Sequence, residues 1–472
     1  MPFKYYGGVH PDYAKTASKT PVRTISPPSV VVLPMIQQIG APNKPIVSVG
    51  DTVKMGQLIG TNDAPVSAPV HASVSGKVIA VEPRRHMLGD MVMSVVIEND
   101  FQDTPCEDMK PLTAEQLKDP DAIIARIREA GVVGMGGAMF PTAFKIQGAR
   151  GKVDTLIING AECEPYLCGD HRTMLEHPEE LLKGIELVRI AHGLDKCYYG
   201  IEKNKQDAID LLNSLDPAKY GIEIVPELVK YPQGAEKMQV KANTNREVKP
   251  GGLPSGVGCN VVSTYTAYTI YRACYEGIPS IERVVTVAGD CVKEAQNLLC
   301  RFGTPLEHIF AEAGVDMDRV ERICMGGPMM GKPLTDRAAI EAAVVTKTTG
   351  NLIVLPKEHY LFRRAQLPME TIRHQTKSAC IQCRMCTDLC PRYLIGHQIR
   401  PNLVMRNLWR EGSIEDNEEY LRSFGDAANC CDCGVCEMFA CPMGLSPRKV
   451  NSYLKGELRG RGIQVPRNME PH

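Results

Sequence analysis

Two runs of cysteine near the C-terminal end constrain this chain more than any other feature of its sequence. Nine of its eighteen cysteines lie between residues 380 and 441. The first run reads Cys380-x2-Cys383-x2-Cys386-x3-Cys390-Pro391, and the second reads Cys430-x2-Cys433-x2-Cys436-x4-Cys441-Pro442. Cysteines separated by two residues let one loop surround three corners of a metal cluster, and the cysteine before proline reaches a neighbouring cluster. The pattern therefore predicts two clusters whose binding loops share ligands.

This cross-ligation predicts two [4Fe–4S] clusters with four cysteines each. One cluster would take Cys380, Cys383, Cys386 and Cys441, and the other would take Cys430, Cys433, Cys436 and Cys390. Zinc is the alternative, but zinc sites commonly use two Cys-x2-Cys pairs, which favours iron–sulfur here. The second run has one extra residue before its last cysteine, which a one-residue bulge would absorb. We interpret Cys431 as a spare thiol and the nine cysteines outside the runs as residues without chemistry.

Length and charge narrow the class of protein. The chain has 472 residues, beyond the roughly 250–300 at which a single core stops growing, so two to four domains are expected. A formal net charge of −1 argues against nucleic-acid partners. The sequence has no apolar run long enough for a transmembrane segment and no signal-peptide pattern at its start. We therefore expect a cytoplasmic protein.

The pattern of the chain changes three times. Residues 1–105 contain short Val- and Ile-rich runs between turns, which predict a small all-β unit. Helical periodicity alternates with buried strands over residues 119–275, which predicts an α/β domain with a largely parallel sheet. Residues 280–332 fit a small α+β module. Residues 370–455 hold the cysteine runs, with helical spacers between them.

Two segments of the α/β region carry candidate ligand-binding residues. Glycines at 134, 136 and 137 would let backbone N–H groups approach a phosphate or a flat ring, and Lys145 would supply a countercharge. An ordinary tight turn is the alternative, since the G-x-G-x-x-G spacing is absent. Asn159, Glu162 and Glu164 follow a buried strand, where open α/β sheets bind ligands; a solvated loop is the alternative there.

These segments resemble the RnfC family of the Rnf electron-transport complex, which is related to the flavin-binding, NADH-oxidising subunit of respiratory complex I. In that group a G-x-G-G-A-x-F-P-T-x-x-K loop cradles FMN, and an N-x-x-E-x-E-P segment contacts the isoalloxazine and the nicotinamide. The glycines would donate backbone hydrogen bonds, the lysine would balance phosphate or flavin charge, and the glutamates would hold the flavin edge and the nucleotide. The binding residues that the resemblance implies are Gly134, Gly136, Gly137, Phe140, Lys145, Asn159, Glu162, Glu164, Glu236 and Thr266.

One stretch departs from the family pattern. The family often has N-V-x-T at the flavin, where this chain has Ser263-Thr264-Tyr265-Thr266, so a hydroxyl replaces the amide. This departure keeps a flavin-free iron–sulfur carrier as one alternative. The C-terminal half contains Thr346-Lys347-Thr348-Thr349-Gly350 and Leu394-Ile395-Gly396-His397 beside the cysteine runs. With these stretches it also resembles the cobalamin reductase of propanediol-utilisation microcompartments, which makes a corrinoid reductase the other alternative.

The resemblance implies a multidomain α/β architecture and an electron-transfer function. A barrel-sandwich domain would occupy residues 1–105, an FMN/NADH-binding domain 119–275, a soluble-ligand-binding β-grasp module 280–332, and an α-helical dicluster ferredoxin domain 370–455. FMN would accept hydride from NADH and release single electrons to the clusters, so no general acid–base residue is required. Its partners would be membrane-embedded or microcompartment electron-transfer proteins, with ferredoxin or flavodoxin as candidates, and the chain would lie peripherally on the cytoplasmic face of the membrane.

Overall fold

The computed structural model describes residues 7–86, 89–317, 320–334, 336–356, 358–466 and 469. These residues form an N-terminal β unit, a parallel α/β unit, a mixed sheet and a helical C-terminal region. Within the described ranges, no helix combines the length and apolar character that a membrane crossing requires.

The N-terminal unit consists of two small sheets that share one apolar core. One sheet has the strand order β2-β8-β7-β4 and the other has β3-β5-β6. Alternate residues of β2, such as Val31 and Leu33, are fully buried and pack with Ile59 of the second sheet, as the period-two alternation of a strand requires. The strands are β1 (Val22–Thr24), β2 (Val30–Pro34), β3 (Lys44–Pro45), β4 (Thr52–Val53), β5 (Leu58–Thr61), β6 (Val70–His71), β7 (Gly76–Arg85) and β8 (Met91–Asn99).

The central unit has a four-stranded parallel sheet in the order β11-β10-β9-β12. The chain runs outward from β9 to β11 and then returns to the other side of β9 with β12. The crevice between the carboxyl ends of β9 and β12 is therefore the topological switch point, where open α/β sheets bind ligands. The elements are α1 (Pro120–Glu129), α2 (Thr142–Ala149), β9 (Thr155–Gly160), α3 (Gly169–Glu176), α4 (Pro178–His192), β10 (Cys197–Glu202), α5 (Gln206–Ser214), β11 (Ile222–Glu227), α6 (Glu236–Thr244), β12 (Cys259–Ser263) and α7 (Thr264–Tyr271).

The third unit is a six-stranded mixed sheet in the order β1-β14-β13-β17-β15-β16. It is larger than the segment 280–332 suggests, because β17 follows that segment and β1 arrives from the N-terminal unit by parallel pairing with β14. The elements are β13 (Glu282–Ala288), β14 (Gln296–Arg301), α8 (Leu306–Ala313), β15 (Val320–Met325), β16 (Lys332–Leu334), α9 (Arg337–Ala342) and β17 (Asn351–Pro356).

The C-terminal region is helical and has its own core, which includes Leu408, Tyr420, Phe424 and Leu454. The first cysteine run spans α12 and the segments on either side of it, and the second run precedes α15. The helices are α10 (Tyr360–Ala365), α11 (Met369–Ala379), α12 (Met385–Asp388), α13 (Pro401–Asn407), α14 (Asn417–Phe424) and α15 (Pro447–Gly460).

Candidate functional site

The glycine-rich loop lies over the switch-point crevice. A Cβ atom added to Gly136 would lie 3.0 Å from Cβ of Ser263, at the end of β12, so a side chain there would require one of the two segments to shift by a few tenths of an ångström. Residues 136–138 are exposed, and Gly137 has a φ of +118° with open space around its α-carbon. Thr266 is 1% exposed, and its hydroxyl accepts a hydrogen bond from the N–H of Met135 at 3.0 Å. Thr266 thus holds the loop. The N–H of Gly134 donates to the carbonyl of Phe140 at 2.9 Å and closes the loop, whereas Gly136 and Gly137 remain exposed.

The loop after β9 brings a carboxylate to the same crevice. Asn159 donates a hydrogen bond to the carbonyl of Gly234 at 2.8 Å. Glu162 has a φ of +49°, and its Oε1 accepts a hydrogen bond from the N–H of Asp170 at 2.8 Å. Its Oε2 is buried and has no hydrogen-bond partner among the described residues. A buried carboxylate oxygen without a partner is costly unless a ligand supplies a donor, so Glu162 fits the edge of a bound flavin or nucleotide.

Lys15 braces this loop, and the sequence offered no pattern that would have found it. Its ammonium donates hydrogen bonds to the carbonyls of Glu162 at 2.8 Å and Glu164 at 2.9 Å, and also to that of Leu167. Burial lowers the pKa of Lys15, and the nearby Glu162 opposes that shift. A residue of the N-terminal segment therefore fixes the backbone that presents Glu162.

Lys145 and Glu236 form an ion pair beside β12. The Lys145 ammonium lies 2.8 Å from Oε1 of Glu236 and 2.6 Å from the carbonyl oxygen of Val261. Both side chains remain partly exposed. The structure thus brings together two predicted binding residues that are far apart in the sequence.

Phe140 pairs edge-to-face with Phe144, with 5.9 Å between the ring centroids.

Glu164 faces the third unit. Its carboxylate accepts hydrogen bonds from the N–H groups of Met329 at 3.1 Å and Met330 at 2.8 Å. A Cβ atom on Gly327 would lie 2.5 Å from this carboxylate, so the turn requires glycine there. Burial raises the pKa of Glu164 to about 7, although the two N–H donors oppose the shift. Glu164 therefore joins two units and is already satisfied by backbone donors.

Four cysteines of the two runs line one cavity at the surface, and we call Cys380, Cys383, Cys386 and Cys441 the first cysteine group. All four are free thiols, and Cys383 is exposed. Burial, followed by the charges of the other three, raises the pKa of Cys386 to about 12. The exposed rim includes Ile381, which is 62% exposed. Four soft sulfur ligands around one cavity fit an iron–sulfur cluster.

The second cysteine group, Cys390, Cys430, Cys433 and Cys436, lies deeper in the molecule. Burial and then the charges of Cys430 and Cys390 raise the pKa of Cys436 well above its usual value, and Cys386 of the first group also acts on it. The two groups are thus neighbours. The extra residue of the second run falls in a π-helical turn over Cys436–Ala440, where the first run has the α-helical turn Met385–Asp388. A π-turn holds one residue more, so both turns can end on a ligand.

Contacts from the other units cover the second cysteine group. The Tyr231 hydroxyl donates a hydrogen bond to the carbonyl of Cys433 at 2.7 Å. Cys163, Tyr231, Met329 and Cys433 share one apolar cluster. Among the described residues, no three His, Cys, Asp or Glu side chains meet at the spacing of a single metal ion. The second group therefore packs against the loops that follow β9 and β11 and against Met329 of the third unit, whereas the first group is exposed at Cys383.

Comparisons with known families match three parts of the chain. The description "Nuo51 FMN-binding domain" matches residues 127–272, "RnfC Barrel sandwich hybrid domain" matches 3–102, and "4Fe-4S dicluster domain" matches 379–446. In fold, the chain is similar to an NAD+-reducing [NiFe]-hydrogenase in its H2-reduced state, with a TM-score of 0.50 and 18% identity over 77% of this chain and 72% of that one.

Two relatives, both RnfC-type components of ion-translocating complexes, are similar over most of their length. The one from the Na(+)-translocating ferredoxin:NAD(+) oxidoreductase complex of Acetobacterium woodii is 39% identical over 86% of this chain and 88% of its own. The one from the proton-translocating ferredoxin:NAD(+) oxidoreductase complex of Clostridium ljungdahlii is 36% identical over 88% of this chain and 87% of its own.

An FMN-binding domain beside a dicluster domain defines an electron-transfer flavoprotein with iron–sulfur clusters. Within that class, the chain belongs to the RnfC family of the Rnf complex. The predicted resemblance, the FMN and [4Fe–4S] cofactors and the coarse domain architecture are confirmed. The findings favour the main hypothesis over the corrinoid reductase and over the flavin-free carrier. The individual binding residues and the domain limits stay predictions.

Proposed function

We propose that this chain exchanges electrons with NAD(H) at the switch-point crevice and passes them through two [4Fe–4S] clusters to a partner protein. The whole assembly would be an ion-translocating ferredoxin:NAD+ oxidoreductase, as the names of its relatives describe. The observation that carries this proposal is that two loops meet the carboxyl ends of neighbouring strands: the exposed loop 136–138 at the end of β12, and the loop after β9, where Oε2 of Glu162 has no hydrogen-bond partner among the described residues. FMN supplies the conversion between two-electron and one-electron transfer.

The chain's own residues hold and orient the ligands in this proposal. Gly136 and Gly137 offer backbone N–H groups at a position where no side chain intervenes. Glu162 offers its free oxygen to a donor on the flavin or the nucleotide. Lys145, which contacts β12 at the carbonyl of Val261, would balance an anionic group of the ligand, and Glu236 competes for its charge. Thr266 holds the glycine loop at Met135, and Asn159 accepts a hydrogen bond from the N–H of Ala161, next to Glu162. Glu164 ties the loop after β9 to Met330 of the third unit.

The order of the clusters follows from their surroundings. The second cysteine group packs against Tyr231 and Met329 of the flavin-side units, so we infer that its cluster exchanges electrons with the crevice. The first cysteine group is exposed at Cys383, so its cluster would exchange electrons with the partner. The partners would be membrane-embedded proteins of the complex, with a ferredoxin-type protein as the electron donor or acceptor, and the chain would lie peripherally on the cytoplasmic face.

Anaerobic cofactor analysis tests the proposal. We expect about eight irons and one FMN per purified chain, with the visible absorbance of both bleached by NADH. Eight irons without flavin and without any response to NADH would contradict the dehydrogenase function. In Cys383→Ser, rapid mixing with NADH should still reduce the second cluster, and failure to do so would contradict the proposed order. Cys106→Ser, at a buried cysteine outside both groups, is the matched control.

A further inference from the structure

Arg392 places a cation in the interior of the C-terminal region. It follows Cys390 and Pro391 and is 9% exposed, and its Nη1 is buried with no hydrogen-bond partner in the part of the chain that the structure describes. No ion pair with a carboxylate is found for it in the described part of the chain. A buried charge is strongly unfavourable unless an opposite charge compensates it. Among the described residues, the groups that can compensate the charge of Arg392 are the cysteines near its guanidinium.

The surroundings of Arg392 are sulfur atoms. The groups that act on its guanidinium most, apart from burial, are the side chains of Cys431, Cys433 and Cys390. Cys431 is its hydrogen-bonding neighbour. The backbone N–H groups of Tyr393 and Arg392 also donate to the Cys390 thiol. Arg392 therefore lies against the second cysteine group with both its backbone and its side chain.

We propose that the guanidinium of Arg392 is the counter-charge of the cluster held by the second cysteine group, and that it raises the reduction potential of that cluster. The inference rests on the proposed ligand set for this cluster. An iron–sulfur cluster with four thiolates is anionic, and one added electron increases its negative charge. A fixed positive charge stabilises the reduced form more than the oxidised form, and net charge and hydrogen bonds to the sulfurs are known determinants of cluster potential. Low solvent exposure strengthens the effect, because water screens little of it.

The chain contains a matched comparison in the first cysteine group. Arg384 stands between Cys383 and Cys386, but its side chain is 54% exposed and forms an ion pair with Asp388 at 3.1 Å. Solvent and the carboxylate both weaken the field of such a cation. Of these two arginines, only Arg392 combines burial with the lack of a carboxylate partner among the described residues.

Redox titrations of the intact holoprotein followed by EPR test the proposal, with the signal of the first cluster identified by its altered spectrum in Cys383→Ser. Arg392→Met should lower the equilibrium constant for reduction of the second cluster at least tenfold, which is about 59 mV for one electron. The midpoint of the first cluster should not move. Arg392→Lys, which keeps the charge, should stay within threefold of the wild type, and Arg384→Met should shift neither cluster by more than threefold.

The iron content and the two midpoint potentials together distinguish a wrong role for Arg392 from a wrong set of cluster ligands. If the wild type holds only four irons, or the second group does not bind a cluster, the proposed function fails in that respect. If both clusters are present and Arg392→Met leaves both midpoints in place, the Arg392 proposal is wrong while the ligand assignment stands. If Arg392→Met loses the second cluster, retention in Arg392→Lys supports a requirement for charge. Equal behaviour of the Met and Lys variants, whether in occupancy or in midpoint, contradicts the proposal.

Discussion

The ammonium of Lys145 lies 2.8 Å from a carboxylate oxygen of Glu236, and the two residues are 91 positions apart in the chain. The pair joins the start of α2 to the first turn of α6 beside the end of β12. Because both side chains are partly exposed, water screens their attraction, and the pair contributes little to the stability of the fold. The positive charge of Lys145 is therefore available to a ligand.

This geometry predicts opposite effects for the two partners. Lys145→Met should weaken FMN binding about tenfold, or about 1.4 kcal/mol, since it removes the positive charge. Glu236→Gln should bind FMN at least as tightly as the wild type, because it releases that charge from its competitor. Flavin fluorescence during titration of the apoprotein measures both affinities. Equal weakening in both variants would show that the pair only supports the fold.

Gly136 and Ser263 predict a rescue experiment. Gly136→Ala places a methyl group 3.0 Å from Cβ of Ser263, so the loop or the end of β12 must shift by a few tenths of an ångström, and we expect the retained flavin to fall. Ser263→Gly removes the obstructing atom, and the double variant should recover most of the flavin content. Gly148→Ala, in α2, is the control, because a Cβ there meets nothing within 4 Å. A double variant no better than Gly136→Ala would contradict the packing argument. Flavin released on denaturation gives the readout.

Single cysteine substitutions should separate ligands from non-ligands. Cys433→Ser should reduce the iron content from about eight to about four atoms per chain, since each cubane holds four irons. Cys431→Ser, two positions earlier in the same loop, should retain all of them. Iron and acid-labile sulfide analysis measures this difference. Loss of iron from Cys431→Ser would make that residue a ligand and contradict the proposed second set.

Glu164 predicts a pH dependence below neutrality. Its pKa is about 7 in the folded chain, compared with about 4.3 for an unfolded glutamate. Between these values the folded state binds more protons, so the free energy of unfolding should decrease as pH rises from about 4.3 to 7. Glu164→Gln should show a smaller decrease in melting temperature across that window. Glu98→Gln, at an exposed position, should keep the wild-type slope. An unchanged slope in Glu164→Gln would contradict the assignment.

Lys347 predicts the opposite slope above neutrality. Its ammonium donates hydrogen bonds at 2.7 Å to the carbonyls of Pro69 and Gly131, and burial lowers its pKa to about 7. The unfolded lysine titrates near about 10.4, so the unfolded state binds more protons in this window and stability should rise with pH. Melting temperatures of Lys347→Met between pH 7 and about 9.5 should rise less than those of the wild type. The exposed Lys77→Met variant serves as control.

The local motifs could be predicted from the sequence because their chemistry depends on spacing along the chain. The cysteine runs indicated two clusters, and the glycine loop and the segment after β9 indicated a ligand site at the switch point, where the structure places residues 136–138 and Glu162. The extra residue in the second run was predicted to need a bulge, and a π-helical turn occupies that position.

The partners of these motifs were decided by tertiary packing. Glu164 accepts hydrogen bonds from Met329 and Met330 of the third unit, and Lys145 forms an ion pair with Glu236. Lys15, in the N-terminal segment, donates a hydrogen bond to the loop after β9. Thr266 supports the loop from beneath. None of these contacts follows from periodicity or spacing, because each joins segments that become neighbours only when the units pack together. Sequence alone determined which cofactor classes this protein can hold, and the tertiary structure decided which charges surround them, since burial and distance set the strength of every electrostatic interaction.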